Sequence, residues 1–130
     1  GLGPTTWSPL AGGILTGKND AGTPQGTRFS LPGYEWLRER YEGPEAETRI
    51  DKVRRLRTVA DELGITPAQL ALAWCLKNPN VSSVITGASR PGQVAENMKA
   101  LEAVDRLSPE IMERIEAILD NKPSPEPNFR

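Results

Sequence analysis

No histidine occurs anywhere in this chain of 130 residues, and Cys75 is its only cysteine. A zinc site of the usual nitrogen and sulfur type is thereby excluded, and so is a disulfide framework. Cys75 stands inside an apolar helical pattern, and a lone thiol there fits a reduced, cytoplasmic setting. Charge of one sign is lacking too, because 16 Lys and Arg against 17 Asp and Glu leave a net charge of −1. Such a balance sets up no global field to draw in nucleic acid or an anionic membrane surface. No apolar run approaches the roughly 20 residues a membrane span needs, and no signal-peptide pattern is present. We therefore expect no nucleic-acid partner, no membrane insertion and no metal. An initiator methionine is also missing. Gly1-Leu2-Gly3-Pro4 runs straight into a strand pattern, which reads as a cut through something larger.

What is present is a chain of about one domain's length, with two segments that stand out. Thr5-Thr6-Trp7-Ser8-Pro9-Leu10-Ala11-Gly12-Gly13 closes on Gly17-Lys18, and Ser83-Val84-Ile85-Thr86-Gly87-Ala88-Ser89 runs into Glu96-Asn97. Each reads as a buried strand ending in small residues and followed by a loop or a helix start. That pattern offers backbone N–H groups beside a cation or a hydroxyl, the chemistry that holds phosphate.

Between these segments, residues 9–44 are rich in Gly, Pro, Thr and Ser, a length more typical of a functional flap or a disordered segment than of an ordinary connection. One short helical piece is expected within Leu31–Tyr41. From Glu45 to Leu63 the apolar residues Ile50, Val53, Leu56, Ala60 and Leu63 recur at helical spacing, with Gly64 at the C′ position. Lys52, Arg54, Arg55 and Arg57 read as the solvated opposite face. Thr66-Pro67-Ala68-Gln69 has the form of a capping box for a buried helix, in which Trp74 and Cys75 pack. A strand over Val81–Thr86, a helix over Pro91–Leu101 with Val94, Ala95, Met98 and Leu101 inward, and a helix opened by Ser108-Pro109-Glu110 follow. Lys122–Arg130 should lie extended. Two strands alone make a poor parallel sheet, so the chain reads as a piece of an α/β protein.

Thr6-Trp7-Ser8-Pro9-Leu10-Ala11 with Gly13, Gly17 and Lys18, then Gln69-Leu70-Ala71-Leu72-Ala73-Trp74, then Val84-Ile85-Thr86-Gly87-Ala88-Ser89 with Glu96-Asn97, resemble the C-terminal part of the aldo-keto reductases. Leu31-Pro32-Gly33-Tyr34-Glu35-Trp36-Leu37 and the ending Asn128-Phe129-Arg130 resemble most the branch holding the potassium-channel β subunits and their bacterial relatives. The resemblance covers essentially the whole chain. It implies an α/β fold, the C-terminal fragment of a (β/α)8 TIM barrel with its site at the strand C-termini. Residues 1–130 would then supply the last two strands, their helices and an extra C-terminal helix.

The resemblance also implies NADP(H) as cofactor. Trp7, Ser8, Pro9, Leu10, Ala11 and Gly12 would line its nicotinamide ribose and pyrophosphate, and Lys18 would meet a phosphate. Arg28 and Ser89 would meet the 2′-phosphate, Gln93 would lie by the adenosine, and Glu96 with Asn97 would read the adenine edge. Gly87 and Gln93 stand where many members carry basic residues, so preference for NADPH rests mainly on Arg28. Bland readings exist beside these: Ser89 suits a helix N-cap, and Glu96 and Asn97 suit a solvated helix face.

The family's Asp, Tyr, Lys and His tetrad has no counterpart here, and neither Tyr34 nor Tyr41 is a candidate. For the parent protein the resemblance implies a carbonyl-reducing enzyme with a small aldehyde or ketone substrate. The alternative is a regulatory potassium-channel β-type subunit with NADPH as redox sensor, and a third reading is a piece inert on its own. The remainder of the barrel is an expected partner. A homo-oligomer stays open, because channel-β relatives form tetramers and bacterial ones vary.

Overall fold

The computed structural model describes residues 2–18 and 30–124. Arg28 and the last residues of the expected extended tail lie outside them. Two three-residue strands, β1 (Thr5–Trp7) and β2 (Ser83–Ile85), pair in parallel with Thr6 opposite Val84 and Trp7 opposite Ile85. A 3-10 turn over Ala11–Thr16 follows β1. Helices α1 (Glu35–Glu42), α2 (Ala46–Glu62) and α3 (Pro67–Lys77) lead to β2. After it come α4 (Pro91–Met98), α5 (Ala100–Ala103), a 3-10 turn at Val104–Arg106, and α6 (Pro109–Leu119). The result is an α/β fold with a short parallel sheet, and no closed barrel forms among the described residues.

Local chemistry explains the helix boundaries. Gly64, at φ +66°, ends α2 in a Schellman motif, its N–H bonding Asp61 O and the Ile65 N–H bonding Ala60 O, both at 3.0 Å. The capping box of α3 is formed as expected: Thr66 Oγ1 accepts from the Gln69 N–H at 3.2 Å, and Gln69 Oε1 accepts from the Thr66 N–H at 3.0 Å. Ser108 caps α6 through the Ile111 N–H, with Pro109 at the first helical position.

The core lies between α2, α3, α5 and α6, where Val59, Ala60, Leu70, Ala73, Ala103, Leu107, Ile115 and Ile118 form one buried cluster. Cations tie the helix ends together. The Lys52 ammonium donates to the Leu119 carbonyl, Arg106 to Leu63 O at 3.2 Å, and Lys77 to Val104 O at 3.2 Å. These are last-turn carbonyls, which favour positive charge. Lys52 is thus not the solvated cation expected of α2.

Arg114 forks onto Glu62, with Nη2 donating to Oε1 at 2.8 Å and Nη1 to Oε2. The guanidinium holds the Glu62 carboxyl below its ordinary 4.5. A carboxyl lowered on folding adds stability above its unfolded value and loses it as pH falls through the folded one. Arg114→Gln should therefore lower the urea midpoint at pH 7 and leave it unchanged near pH 2. A deficit that persists undiminished in acid would show that the pair is not its source.

Two expectations are corrected. The helix over Pro91–Leu101 breaks at Lys99, and Val94, Met98 and Leu101 face outward together with Ala95. Half-buried Gln93 and Asn97, with buried Ala100, form the inward stripe instead. Small Ala100 and Ala103 let α5 approach α3 closely, and this fixes the rotation of the segment. The strands are likewise not buried. Trp7 is 81% exposed and Ile85 54%, because α3 covers only one face of this two-stranded ribbon.

Candidate functional site

Parallel pairing sets which segments are neighbours. Because β1 and β2 run in the same direction and in register, Ser8 and Thr86 leave the same edge of the sheet side by side. The loop running to Lys18 and the loop running into α4 therefore start as neighbours. The two segments singled out in the sequence belong to one surface.

The first loop is a succession of left-handed residues. Ser8 has φ +53° and Ala11 +48°, and Gly12, Gly13 and Gly17 follow at +69°, +108° and +72°. Side chains rarely adopt φ near +108°, so glycine at position 13 is a conformational requirement. Turn hydrogen bonds fix the path: Ala11 N–H to Ser8 O and Gly13 N–H to Leu10 O, both 2.8 Å. The Thr16 hydroxyl then donates to Gly13 O at 2.6 Å.

Lys18 folds back over this turn. A Cβ on Gly13 would stand 3.0 Å from Lys18 Cε and 3.1 Å from its Nζ. The bare glycine backbone thus makes room for an ammonium above it, and Lys18 itself is exposed. The arrangement puts a positive charge beside bare, small-residue backbone, a surface that an anion can approach closely. Gly17 is buried under Arg57 of α2, whose Nη2 donates to Gly17 O at 3.1 Å. A Cβ on Gly17 would stand 2.6 Å from that nitrogen.

In the second loop, Gln93 gathers the chain ahead of α4. Its Oε1 accepts from the Ser89 N–H at 2.8 Å, the Ser89 hydroxyl at 3.1 Å and the Arg90 N–H at 3.2 Å. The N-cap position belongs to Arg90, so Ser89 stands one residue before the cap and its bland reading as the N-cap does not hold. The helix is held from behind by Gln69, the one buried polar residue among those described. Its Nε2 donates to Glu96 O at 3.1 Å while its Oε1 completes the cap of α3. With donor and acceptor both used, the burial carries little penalty.

The expected residues thus sort by position. Trp7, Ser8, Lys18, Gly87, Ser89 and Glu96 are exposed around the strand ends. Leu10, Ala11, Gly12, Gln93 and Asn97 are half-buried in the two loops and α4. Pro9 turns back with Leu15 toward an apolar cavity of about 210 Å3 beside Trp74 and Ile115, so its share in a site is through backbone. Arg28 lies outside the described residues. Sequence reasoning passed over Arg57 and Gln69. Arg57 stands four residues after buried Val53 and three before buried Ala60, so its helical phase pointed inward. For Gln69 the sequence shows a helix cap and part of a family-like motif, and neither signals the bond it makes to α4. Among the described residues no cluster of Asp, Glu and Cys could hold a metal ion, and no helix is long and apolar enough to cross a membrane.

Comparison with known proteins supplies the rest. Residues 1–120 match the family model described as "Aldo/keto reductase family". A rice protein (Oryza sativa subsp. japonica) named "Probable voltage-gated potassium channel subunit beta" is 49% identical over 131 aligned residues, covering 100% of this chain and 39% of its own length. An Arabidopsis thaliana protein of the same name is 48% identical over 131, with the same coverage. A Schizosaccharomyces pombe protein, its name likewise qualified and likewise that of a voltage-gated potassium channel subunit beta, is 50% identical over 123 residues, covering 95% of this chain and 36% of its own length. The chain thus spans little more than a third of the length of these relatives.

The names overturn one expectation. All three are those of channel subunits and none that of a reductase, so the reading of the parent as an NADP-dependent reductase enzyme is corrected. The reason is physical: residues 5–18 and 83–97 form two paired strand ends with the loops that follow them, and such a scaffold does not distinguish a turnover enzyme from a regulatory subunit built on it.

Proposed function

The chain belongs to the aldo/keto reductase family, and on that premise we propose that it is the cofactor-holding C-terminal part of a voltage-gated potassium channel β-type regulatory subunit. In this reading residues 1–130 form the last two strands of a (β/α)8 barrel, their helices and the extra C-terminal helix, with residues 9–44 as the cofactor-side loop and 122–130 as a tail. The outward stripe of Val94, Met98 and Leu101 and the bare Trp7–Ile85 face support it, because both want the cover that the rest of a barrel would give.

The cofactor in this proposal is NADP(H), and the observation that carries it is the pair of neighbouring strand ends with the Gly12-Gly13 turn lying under Lys18. Lys18 and the turn backbone would hold the pyrophosphate. Ser8, Leu10, Ala11 and the exposed ring of Trp7 would flank the nicotinamide ribose. Ser89 and Arg28 would meet the 2′-phosphate, while Gln93, Glu96 and Asn97 would line the adenosine end beyond Gly87. When bound, a nicotinamide supplies two redox states that differ by a hydride, which lets the subunit report redox poise to a channel.

NADPH fluorescence titration of the full-length protein tests this. Lys18→Ala and Arg28→Ala should each weaken binding about tenfold, the usual worth of a charge-assisted contact. Arg28→Ala should also narrow the preference for NADPH over NADH. Unchanged affinity in both variants overturns the cofactor assignment. Failure of the protein to co-purify with a voltage-gated potassium channel pore subunit overturns the channel half.

A further inference from the structure

We propose that Arg57 is a positioning residue for the phosphate cradle: it latches the Gly12–Lys18 turn to helix α2 and so sets where the Lys18 ammonium stands. The inference rests on the cofactor reading above and adds to it a residue far outside both cofactor segments.

The latch is built from the core outward. Val53 and Ala60 are buried on α2, which fixes the helix against α3 and α6. Arg57 lies between them in helical phase, so its stem leaves α2 at the border of the buried face and points to the loop after β1. There Nη2 donates to Gly17 O at 3.1 Å. The guanidinium also fills the space a side chain on Gly17 would need, with Nη2, Cζ and Nε at 2.6, 3.1 and 3.3 Å from a Cβ built there.

Gly17 passes this restraint to its neighbour. Its φ of +72° reverses the chain, its N–H bonds Ile14 O at 3.0 Å, and the next residue is Lys18. The Lys18 N–H reaches Thr16 Oγ1 at 3.5 Å, whose hydroxyl holds Gly13 O. Lys18 then lays its ammonium over Gly13. A rigid helix, one guanidinium, one left-handed glycine and one lysine thus form a continuous line to the anion cradle. Arginine suits the post because its planar fork can donate and pack at once, which an ammonium on a flexible stem does less well.

The test uses the full-length protein and calorimetric titration with two ligands, NADPH, which carries the pyrophosphate, and adenosine 2′-monophosphate, which lacks it. Arg57→Ala should weaken NADPH about tenfold and leave adenosine 2′-monophosphate unchanged, because only the first ligand uses the Lys18 cradle. In a Lys18→Ala background the same substitution should cost almost nothing more, since the two act in series. Arg57→Lys should recover part of the loss. Equal weakening of both ligands means general damage to the fold and overturns the proposal. Additive losses with Lys18→Ala overturn it as well, because Arg57 would then act independently. If Lys18→Ala weakens NADPH while Arg57→Ala does not, this inference alone fails. Absence of NADPH binding in the unaltered protein brings down the cofactor reading and the latch with it.

Discussion

Leu107→Ala is expected to lower the unfolding free energy by about 2–5 kcal/mol, the range for truncating a large side chain in a closed core. Leu107 is 0% exposed. It follows the 3-10 turn at Val104–Arg106 and sits in the cluster with Val59, Leu70, Ile115 and Ile118. Its neighbours cannot easily collapse into the space it leaves. Ser108 and Pro109 fix the start of α6 on one side, and Ala100 and Ala103 hold α5 against α3 on the other. Leu107→Met, which keeps the volume, should cost less than about 1.5 kcal/mol. Urea unfolding of the full-length protein, followed by tryptophan fluorescence, reads both. Equal, small losses in the two variants would mean that this helical layer does not close around Leu107.

The helical part of this fold was legible because its signals are local. Thr66-Pro67-Ala68-Gln69, Ser108-Pro109 and Gly64 each specify a boundary through hydrogen bonds within a few residues, and each forms as read. The rotation of α4 was not legible. Val94, Met98 and Leu101 have the spacing of a core face, yet the side that meets α3 is the one carrying Gln93, Asn97 and Ala100. Periodicity reports that a helix has an apolar side, and only tertiary contacts decide what that side meets. The strands form within the segments expected of them, and only their burial differs, for a related reason. Val84 and Ile85 have the composition of a buried strand, but burial takes two covered faces, and α3 supplies one.

Within the site, the sequence separated parts that the fold joins. The two loop segments stand out in the sequence as small-residue turns after strands, and their adjacency follows from the Trp7–Ile85 register, which no local pattern encodes. Arg57 was hidden by its company. In a run with Lys52, Arg54 and Arg55 it looks like one more solvated cation, whereas Lys52 and Arg57 both turn to carbonyls of other elements. On a mixed helix, the cations nearest the apolar stripe are the ones that reach across to neighbouring backbone. A reading by helical phase, not by charge count, picks them out.

Gly13→Val is expected to weaken NADPH binding by the full-length protein between about tenfold and a hundredfold, the loss of a cation-to-phosphate contact with the turn that frames it. Two effects act on the same residue. At φ +108° a β-branched side chain is strained by roughly 1–3 kcal/mol. A Cβ would also approach Lys18 Cε and Nζ at 3.0 and 3.1 Å, so the ammonium must leave its place over the turn. Gly64, between α2 and α3, separates the two effects, because its φ is +66° and a Cβ there would meet nothing within 4 Å. Gly64→Val therefore carries backbone strain without displacing Lys18, and it should lower the melting temperature while NADPH affinity stays unchanged. Gly13→Asn, whose short polar side chain tolerates left-handed backbone better, should fall between wild type and Gly13→Val. If Gly13→Val behaves like Gly64→Val, losing stability but keeping its affinity for NADPH, then Lys18 over the glycine turn is not what holds the phosphate.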